Sequence, residues 1–270
     1  MIGLYLSIGI VALLLIVLFL IMPALGRREK RKVLPGIYAH RGLFNNHEGI
    51  PENSMAAFRR AVEHGYGIET DIHLSADGVC VLHHDDTLSR ICGVGGLLRE
   101  KTADELTKLP LLGTSETVPL FSEFLKLVNG RVPLVLELKS EAGNRKALVD
   151  AVLRELENYT GPYCIESFDP RILAVLRRRA PHIVRGQLAG KLGRVVVSPL
   201  TEFLLRNLML NVIVRPDFIA YRYNDRKNPI FRLNTSLLGA TRVYWTIRTP
   251  EDFATAQADG GIPIFEGFEP

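Results

Sequence analysis

Short apolar runs that alternate with amphipathic stretches are the feature that most constrains the fold of this 270-residue chain. A short apolar run is typical of a strand buried on both faces, and the amphipathic stretch after it is typical of a helix that covers the sheet. The predicted strands lie near 37–40, 67–72, 79–83, 133–138, 162–167, 183–188, 217–221 and 243–247, with a candidate last strand near 262–265. Eight or so such units in residues 36–270 predict an α/β fold of the TIM (β/α)8 barrel type.

The segment at approximately 85–118 is too long for a plain connection between two barrel elements. It contains Gly93, Gly95 and Gly96, followed by a helix start that Thr102 can cap. Because no G-K-[ST] sequence follows the glycines, they do not indicate a phosphate-binding loop. We interpret the segment as a small insertion with a flexible rim.

Residues 1–23 form a separate apolar segment before the predicted barrel. No charged residue occurs from Ile2 to Met22, and about 20 apolar residues match the hydrocarbon thickness of a bilayer. The alternative is a cleaved signal peptide, which requires a positive region before the apolar stretch and a small-residue cleavage site after it. Neither is present, so we predict a transmembrane helix that acts as a single-pass anchor in the cell membrane.

Residues 24–35 form a basic linker between this helix and the barrel. The linker carries five cations, Arg27, Arg28, Lys30, Arg31 and Lys32, against Glu29. The linker thus has an excess of four positive charges. The net charge of the whole chain is also +4, so residues 36–270 are formally neutral. The charge therefore indicates contact with anionic lipid rather than nucleic acid. The positive-inside rule predicts a cytoplasmic barrel, and a linker of this length would let the barrel mouth face the lipid.

The chain has three cysteines, Cys80, Cys92 and Cys164, with no C-x-x-C spacing. An odd number without that spacing indicates neither a disulfide framework nor a zinc site. Free thiols are consistent with a reducing cytoplasm.

Carboxylates follow the apolar pattern of two predicted strands. Glu69 and Asp71 are two residues apart, so both side chains lie on the same face of a strand. Glu137 lies at the end of another strand and would complete a set of three hard oxygen donors for a divalent cation, Mg²⁺ or Ca²⁺. The alternative for Glu137 is an ion pair with Lys139 across the barrel interior.

Two histidines end predicted strands, where barrel enzymes place their chemistry. His40 closes the run 37–39, and His84 closes the run 79–82. A pair of imidazoles can share acid and base roles near neutral pH. His83 lies beside His84, but side chains alternate along a strand, so the two histidines face opposite sides. We assign the catalytic role to His84, which precedes Asp85, and a structural or exposed role to His83.

Four motifs in residues 39–90 occur in a fixed order: A-H-R-G, P-E-N-S, E-T-D and V-L-H-H-D-D-T-L-S-R. Their order and spacing resemble the glycerophosphodiester phosphodiesterase family, whose pattern is H-R-G, P-E-N-T, E-x-D and V-x-x-H-D-x-x-L-x-R. The resemblance continues through V-P-L-F-S-E-F-L (118–125), L-E-L-K (136–139), E-S-F-D-P (166–170) and Y-W-T-I (244–247). It covers nearly everything from residue 36 to the C-terminus.

The resemblance implies roles for residues around the histidines and carboxylates. Arg41 and Lys139 supply positive charge to a phosphate, and Trp245 would form an apolar wall for the glycerol or the head group. Glu52 or Asn53 would support the site, although both residues also suit a simple helix entry. The family carries an insertion beside its active site, consistent with the segment 85–118.

The same resemblance implies a two-step reaction. A free glycerol hydroxyl attacks the neighbouring phosphate, expels the alcohol and leaves a cyclic phosphate that water opens. Glycerophosphodiesters and lysophospholipids meet this requirement, yielding glycerol 3-phosphate or lysophosphatidic acid. The sequence departs from the family pattern at Arg248 and at F-E-G-F (265–268), which leaves substrate choice open. The alternatives are a phosphatidylinositol-type phospholipase C and a non-catalytic lipid-binding membrane module.

Overall fold

A computed structural model describes residues 1–25, 34, 36–141, 143–191 and 198–270. The five cations of the predicted basic linker lie outside the described residues. The division of the chain into a segment 1–23, a linker 24–35 and a domain 36–270 with an insertion at 85–118 stays a prediction.

Eight parallel strands form a closed barrel, which confirms the predicted fold. The strands of the sheet are β1 (Tyr38–His40), β2 (Gly67–Leu74), β3 (Cys80–Leu82), β4 (Leu134–Leu138), β5 (Tyr163–Ser167), β6 (Arg185–Ala189), β7 (Phe218–Arg222), β8 (Thr241–Ile247) and β9 (Ile262–Phe265). Strand β1 pairs in parallel with both β2 and β9 and thereby closes the barrel.

Strand β3 is not a barrel strand, although it was predicted as one. It pairs with β2 in antiparallel register, with Ile72 opposite Leu82. The connection between β2 and β3 is too short for the helical crossover that a parallel neighbour needs, so the two strands form a hairpin. The eighth barrel strand is β9 instead. The hairpin returns the chain beside β2, where the His83 N–H donates to the Asp71 carbonyl over 3.1 Å.

Helices follow most of the barrel strands along the chain, and one long helix precedes the first strand. They are α1 (Ile2–Ile21), α2 (Met55–Glu63), α3 (Ser89–Cys92), α4 (Ala103–Leu106), α5 (Phe121–Val128), α6 (Arg145–Leu156), α7 (Pro170–Arg179), α8 (Pro199–Arg206), α9 (Asn211–Val214), α10 (Pro229–Arg232) and α11 (Pro250–Ala258), with short 3-10 or π turns at Asn46–Glu48, Leu98–Glu100, Tyr223–Asp225 and Leu233–Leu237. Side-chain caps fix several starts: Ser54 accepts from the Ala57 N–H, and Thr102 forms a capping box with Glu105.

The lower interior of the barrel, near the N-terminal ends of the strands, is apolar. Its buried cluster includes Leu34, Tyr38, Val135, Cys164, Phe218, Val243 and Ile264. Leu34 comes from the segment before β1 and is only 1% exposed. Gly186 makes room for this packing, because a Cβ there would lie 2.1 Å from the Phe218 ring. This end of the barrel is a packed core.

Helix α1 is attached to the same end of the barrel. The Asn211 side chain donates to the Ile21 carbonyl over 2.8 Å, and the Arg215 guanidinium donates to the Met22 carbonyl over 2.9 Å. Ile21 and Ala24 are buried, whereas residues 1–16 are exposed. Of the described residues, only α1 is long and apolar enough to cross a membrane. The predicted linker therefore begins at a docked helix end, opposite the barrel mouth.

Candidate active site

Three carboxylates meet at the C-terminal ends of neighbouring strands. Glu69 and Asp71 lie on β2, and Glu137 lies on β4 directly opposite Asp71 in the register. Oxygens of the three groups all lie within 4.8 Å of one another. The structure therefore brings together the three residues that the sequence indicated as metal ligands.

Lys139 lies between two of these carboxylates. Its Nζ atom is 3.0 Å from Asp71 Oδ1 and 2.8 Å from Glu137 Oε2. Although burial disfavours the ammonium form, the carboxylates of Asp71 and Glu137 raise the pKa of Lys139, so its side chain stays charged. The ion pair that the sequence left as an alternative is thus present together with the acidic cluster.

The cluster carries more negative charge than Lys139 can balance. Burial raises the pKa of Glu69 well above its usual value, and the charges of Asp71 and Glu137 raise it further. Asp71 differs: burial alone would raise its pKa, but Lys139 and other cations hold it well below the usual range. A divalent cation would relieve this repulsion, and three carboxylates are the hard oxygen donors that Mg²⁺ and Ca²⁺ prefer. The donor set therefore fits such an ion.

The two predicted catalytic histidines each pair with a carboxylate through Nδ1. His40 Nδ1 contacts Glu266, while its Nε2 lies 3.8 Å from Glu69 Oε2. His84 Nδ1 lies 2.7 Å from Asp85 Oδ1. A carboxylate on Nδ1 favours the tautomer with a proton on that nitrogen, so Nε2 is the nitrogen left for proton transfer.

The side chains of His83 and His84 lie in different surroundings, as the alternation of side chains along a strand predicts. His83 is 3% exposed, and burial lowers its pKa to about 4. Its Nδ1 accepts the His84 N–H over 3.0 Å. His83 therefore has a structural position, whereas His84 lines the site cavity.

A chain of ion pairs joins the two histidine motifs. Arg90 donates to Asp85 over 2.5 Å and to Glu52 over 2.9 and 2.8 Å. Glu52 also accepts from Arg41 over 2.6 Å, and the Arg41 N–H donates to Glu69 over 3.1 Å. The network fixes the H-R-G and H-D segments relative to each other.

Asn53 forms a hydrogen bond with the acidic cluster. Its Nδ2 donates to Asp71 Oδ2 over 3.0 Å, and its Oδ1 accepts from the Thr70 hydroxyl over 2.8 Å. Both residues that the sequence gave as support, Glu52 and Asn53, are therefore within the hydrogen-bond network of the site.

The site opens into a cavity of about 140 Å³. Its lining residues are His40, Arg41, Glu69, His84, Glu137, Lys139, Glu166, Phe168, Leu188, Trp245, Thr246 and Arg248. One wall is apolar, because Phe168 packs edge-on against Trp245 with ring centroids 5.5 Å apart. The Trp245 indole is held by a hydrogen bond of 3.1 Å to the Ala220 carbonyl.

Sequence reasoning missed two carboxylates of this site. Glu166 on β5 lies opposite Glu137 in the register and is buried. It also falls in the E-S-F-D-P motif, which was the available signal. Glu266 follows β9 and contacts both His40 and Arg248, the latter over 2.6 Å. Arg248 and the F-E-G-F segment are the two places where the sequence departs from the family pattern. They are thus in contact with each other, and Glu266 of that segment also contacts His40.

Comparison with known proteins identifies a family. The pattern of the glycerophosphoryl diester phosphodiesterase family matches residues 40–258. A glycerophosphodiester phosphodiesterase of Caldanaerobacter subterraneus is 32% identical over 162 residues, which cover 56% of this chain and 65% of that protein. One from Bacillus altitudinis is 32% identical over 158 residues, 54% of this chain and 63% of that protein. The match therefore spans slightly under two thirds of these relatives.

Solved structures share the barrel. A phosphodiesterase of Oleispira antarctica, solved in complex with the product sn-glycerol-3-phosphate, superposes with a TM-score of 0.72 at 24% identity. The match covers 88% of this chain and 94% of that protein. A glycerophosphodiester phosphodiesterase of Parabacteroides distasonis gives a TM-score of 0.66 at 25% identity, over 86% of this chain and 91% of that protein. With its pattern matched over residues 40–258, the chain belongs to the glycerophosphoryl diester phosphodiesterase family.

Proposed function

We propose that this protein is a metal-dependent hydrolase that converts glycerophosphodiesters into glycerol 3-phosphate and an alcohol. The observation that carries the proposal is one cavity lined by His40 and His84, with the Glu69, Asp71 and Glu137 carboxylates beside them. A binding module has no need for two imidazoles beside three buried carboxylates.

The carboxylates and cations of the site have distinct proposed roles. Glu69, Asp71 and Glu137 would hold Mg²⁺ or Ca²⁺, which when bound supplies positive charge to the phosphoryl oxygens. Lys139 and Arg41 add charge-assisted hydrogen bonds to the same phosphate. Trp245 excludes water from one side of the substrate, since its ring forms part of the apolar wall.

The histidines are proposed to transfer protons in a two-step reaction. One imidazole accepts the proton of a glycerol hydroxyl as its oxygen attacks phosphorus, and the other protonates the alcohol oxygen as its bond to phosphorus breaks. Water then opens the cyclic phosphate with the roles reversed. Glu266 and Asp85 hold His40 and His84 in the required tautomer through Nδ1.

Water-soluble glycerophosphodiesters are the proposed substrates, and lysophospholipids are the second candidate. Exposed Leu200 and Phe203 on α8 favour contact with lipid chains. The docking of α1 argues the other way, because Asn211 and Arg215 attach its end at the N-terminal face of the barrel. The catalytic cavity lies at the C-terminal ends of the strands, away from that attachment.

A single assay tests this function. Release of alcohol is measured from glycerophosphocholine, glycerophosphoethanolamine and lysophosphatidylcholine, with and without chelator. We expect release from the first two that excess EDTA abolishes, and a loss of at least about 100-fold in His40→Ala and His84→Ala. The matched control is His182→Ala, an exposed histidine outside the cavity. Full activity in excess EDTA would overturn the metal requirement. Phosphatidylinositol is added as a fourth substrate, and its cleavage alone would indicate the phospholipase alternative. No turnover of any of the four would indicate a binding module.

The proposed location is the cell membrane, with α1 as a single-pass anchor and the barrel in the cytoplasm. The buried Ile21 and Ala24 support retention of the helix, since cleavage after it would remove packing from the barrel. A reporter fused after Pro270 should behave as cytoplasmic, and protease added to intact cells should not reach the barrel. A purified protein whose N-terminus begins beyond residue 21 would show that the segment is a signal peptide.

A further inference from the structure

A second cavity adjoins the catalytic cavity at the barrel mouth. Its volume is about 300 Å³, and its lining residues are Lys191, Arg222, Asn224, Trp245, Thr246 and Arg248. Trp245, Thr246 and Arg248 line both cavities, so the two are neighbours across a shared wall. The second cavity therefore lies beside the space that a substrate phosphate would occupy in the first.

The two cavities differ in charge. The catalytic cavity contains an acidic cluster, whereas the second cavity presents three cations. Arg248 is paired with Glu266. Arg222 donates to the main-chain carbonyl of Lys191 over 2.9 Å. Within the part of the chain that the structure describes, no carboxylate forms an ion pair with the side chain of Lys191 or Arg222.

The carboxylate beside the main chain of Lys191 is engaged elsewhere. Asp225 accepts the main-chain N–H of Lys191 over 2.7 Å and lies 3.9 Å from the Arg206 guanidinium. The Lys191 ammonium and the remaining N–H groups of Arg222 are therefore available to an anion that enters from solvent. Guanidinium and ammonium groups together are typical of sites that bind phosphate or carboxylate.

We propose that the second cavity is a subsite for a negatively charged group on the leaving alcohol. The inference rests on the proposed function and specifies its substrate class: glycerophosphodiesters whose alcohol carries a phosphate. Electrostatic complementarity makes the second cavity favour such an alcohol and disfavour a cationic one such as choline. Lys191 is the best residue to substitute, because the other two cations have further contacts. Arg248 pairs with Glu266, which contacts His40, and Arg222 donates a hydrogen bond to the main-chain carbonyl of Lys191.

The test compares two soluble diesters that differ by one group. In 1,3-bis(sn-glycero-3-phospho)glycerol the leaving alcohol carries a second phosphate, and in glycerophosphoglycerol it does not. We expect kcat/KM to favour the first by about tenfold, beyond the factor of two for its two equivalent ends. Lys191→Glu should remove most of this preference, because it should lower kcat/KM for the first diester far more than for glycerophosphoglycerol. The matched control is Lys126→Glu, which makes the same change of charge on the exposed face of α5, away from both cavities.

The outcomes separate the subsite from the proposed function. Hydrolysis of both diesters with equal kcat/KM, or a preference that Lys191→Glu leaves unchanged, overturns the subsite alone. Hydrolysis of neither diester overturns the proposed function itself. A preference lost equally in Lys126→Glu shows a general effect of net charge and also overturns the subsite.

Discussion

The two ends of the barrel are formed by the same strands but filled with opposite chemistry. On β4, Val135 faces the apolar lower interior, and two residues later Glu137 faces the acidic cluster. On β5, Cys164 and Glu166 repeat this change. The lower end gains free energy from apolar burial, whereas the upper end holds like charges together. On the same strand, the residue that packs in the apolar interior and the residue of the acidic cluster are thus only two positions apart.

The two ends also differ in what they contact. The lower end holds α1 through Asn211 and Arg215. The upper end is open to solvent through two cavities, one acidic and one basic. A five-residue strand such as β7 spans roughly 17 Å, so the docked end of α1 and the acidic cluster lie about one barrel height apart. If α1 is the membrane anchor proposed above, it would hold the protein at the membrane by the end of the barrel that lacks the active site.

The largest expected effect is at the acidic end. Glu137→Gln should lower kcat by at least about 1,000-fold at saturating Mg²⁺ or Ca²⁺, because it removes a proposed ligand of the cation. The same substitution should leave the free energy of unfolding of the metal-free protein unchanged or higher, since a buried like charge is removed while Lys139 keeps Asp71 as its partner. Urea unfolding and steady-state kinetics measure the two quantities, with Glu123→Gln on α5 as an exposed control. A loss of stability above about 2 kcal/mol would contradict the contrast between the ends.

The apolar end should respond in the opposite way. Leu34→Ala leaves a cavity beneath the barrel and should cost about 2–4 kcal/mol of unfolding free energy, with kcat unchanged under conditions where the protein is folded. Leu237→Ala is the matched control, since that side chain is 76% exposed. A drop in kcat for Leu34→Ala with unchanged stability would show that the two ends are coupled.

Sequence patterns were sufficient for the elements with a strong local signal. The strand period placed Glu69, Asp71 and Glu137 on one face, and the alternation at His83 and His84 separated the two imidazoles. These features follow from the geometry of single strands.

Features that depend on contacts distant in sequence were not predictable. Strand β3 had the apolar pattern of a barrel strand, and only its short connection to β2 made it a hairpin. The contact between His40 and Glu266 joins residues 226 positions apart. The docking of α1 depends on Asn211 in α9 and on Arg215, which follows α9. Nothing in the sequence around these two residues indicates that they contact the apolar N-terminal helix.

The third prediction concerns a histidine beside the charged end. Burial lowers the pKa of His83 to about 4, below its usual value near 6.5. The unfolded chain therefore binds a proton between these values that the folded protein does not, so stability falls as the pH falls from 6.5 towards 4. This group alone should cost about 2 kcal/mol at pH 5. Unfolding free energies from pH 7 to 5 should fall less steeply in His83→Gln, and parallel curves for the two proteins would refute this origin.

The smallest expected effect tests the attachment at the apolar end. The Arg215 guanidinium donates to the carbonyls of Phe19 and Met22 over 3.0 and 2.9 Å, at the end of α1 where cations are favourable. Its backbone has φ of 47°, which asparagine tolerates well. Arg215→Asn therefore removes the contact without backbone strain and should lower unfolding free energy in detergent by about 1 kcal/mol.

The matched control for this substitution is Arg178→Gln, which removes an equal charge from an exposed position of α7. In a chain that lacks residues 1–23, Arg215→Asn should have no cost, because the two carbonyl acceptors are gone. An equal loss with and without those residues would mean that Arg215 stabilises the barrel alone. In that case Arg215 would not contribute to the attachment of α1, and the orientation of the helix relative to the lower end would depend on the Asn211 hydrogen bond to Ile21 and on the burial of Ile21 and Ala24.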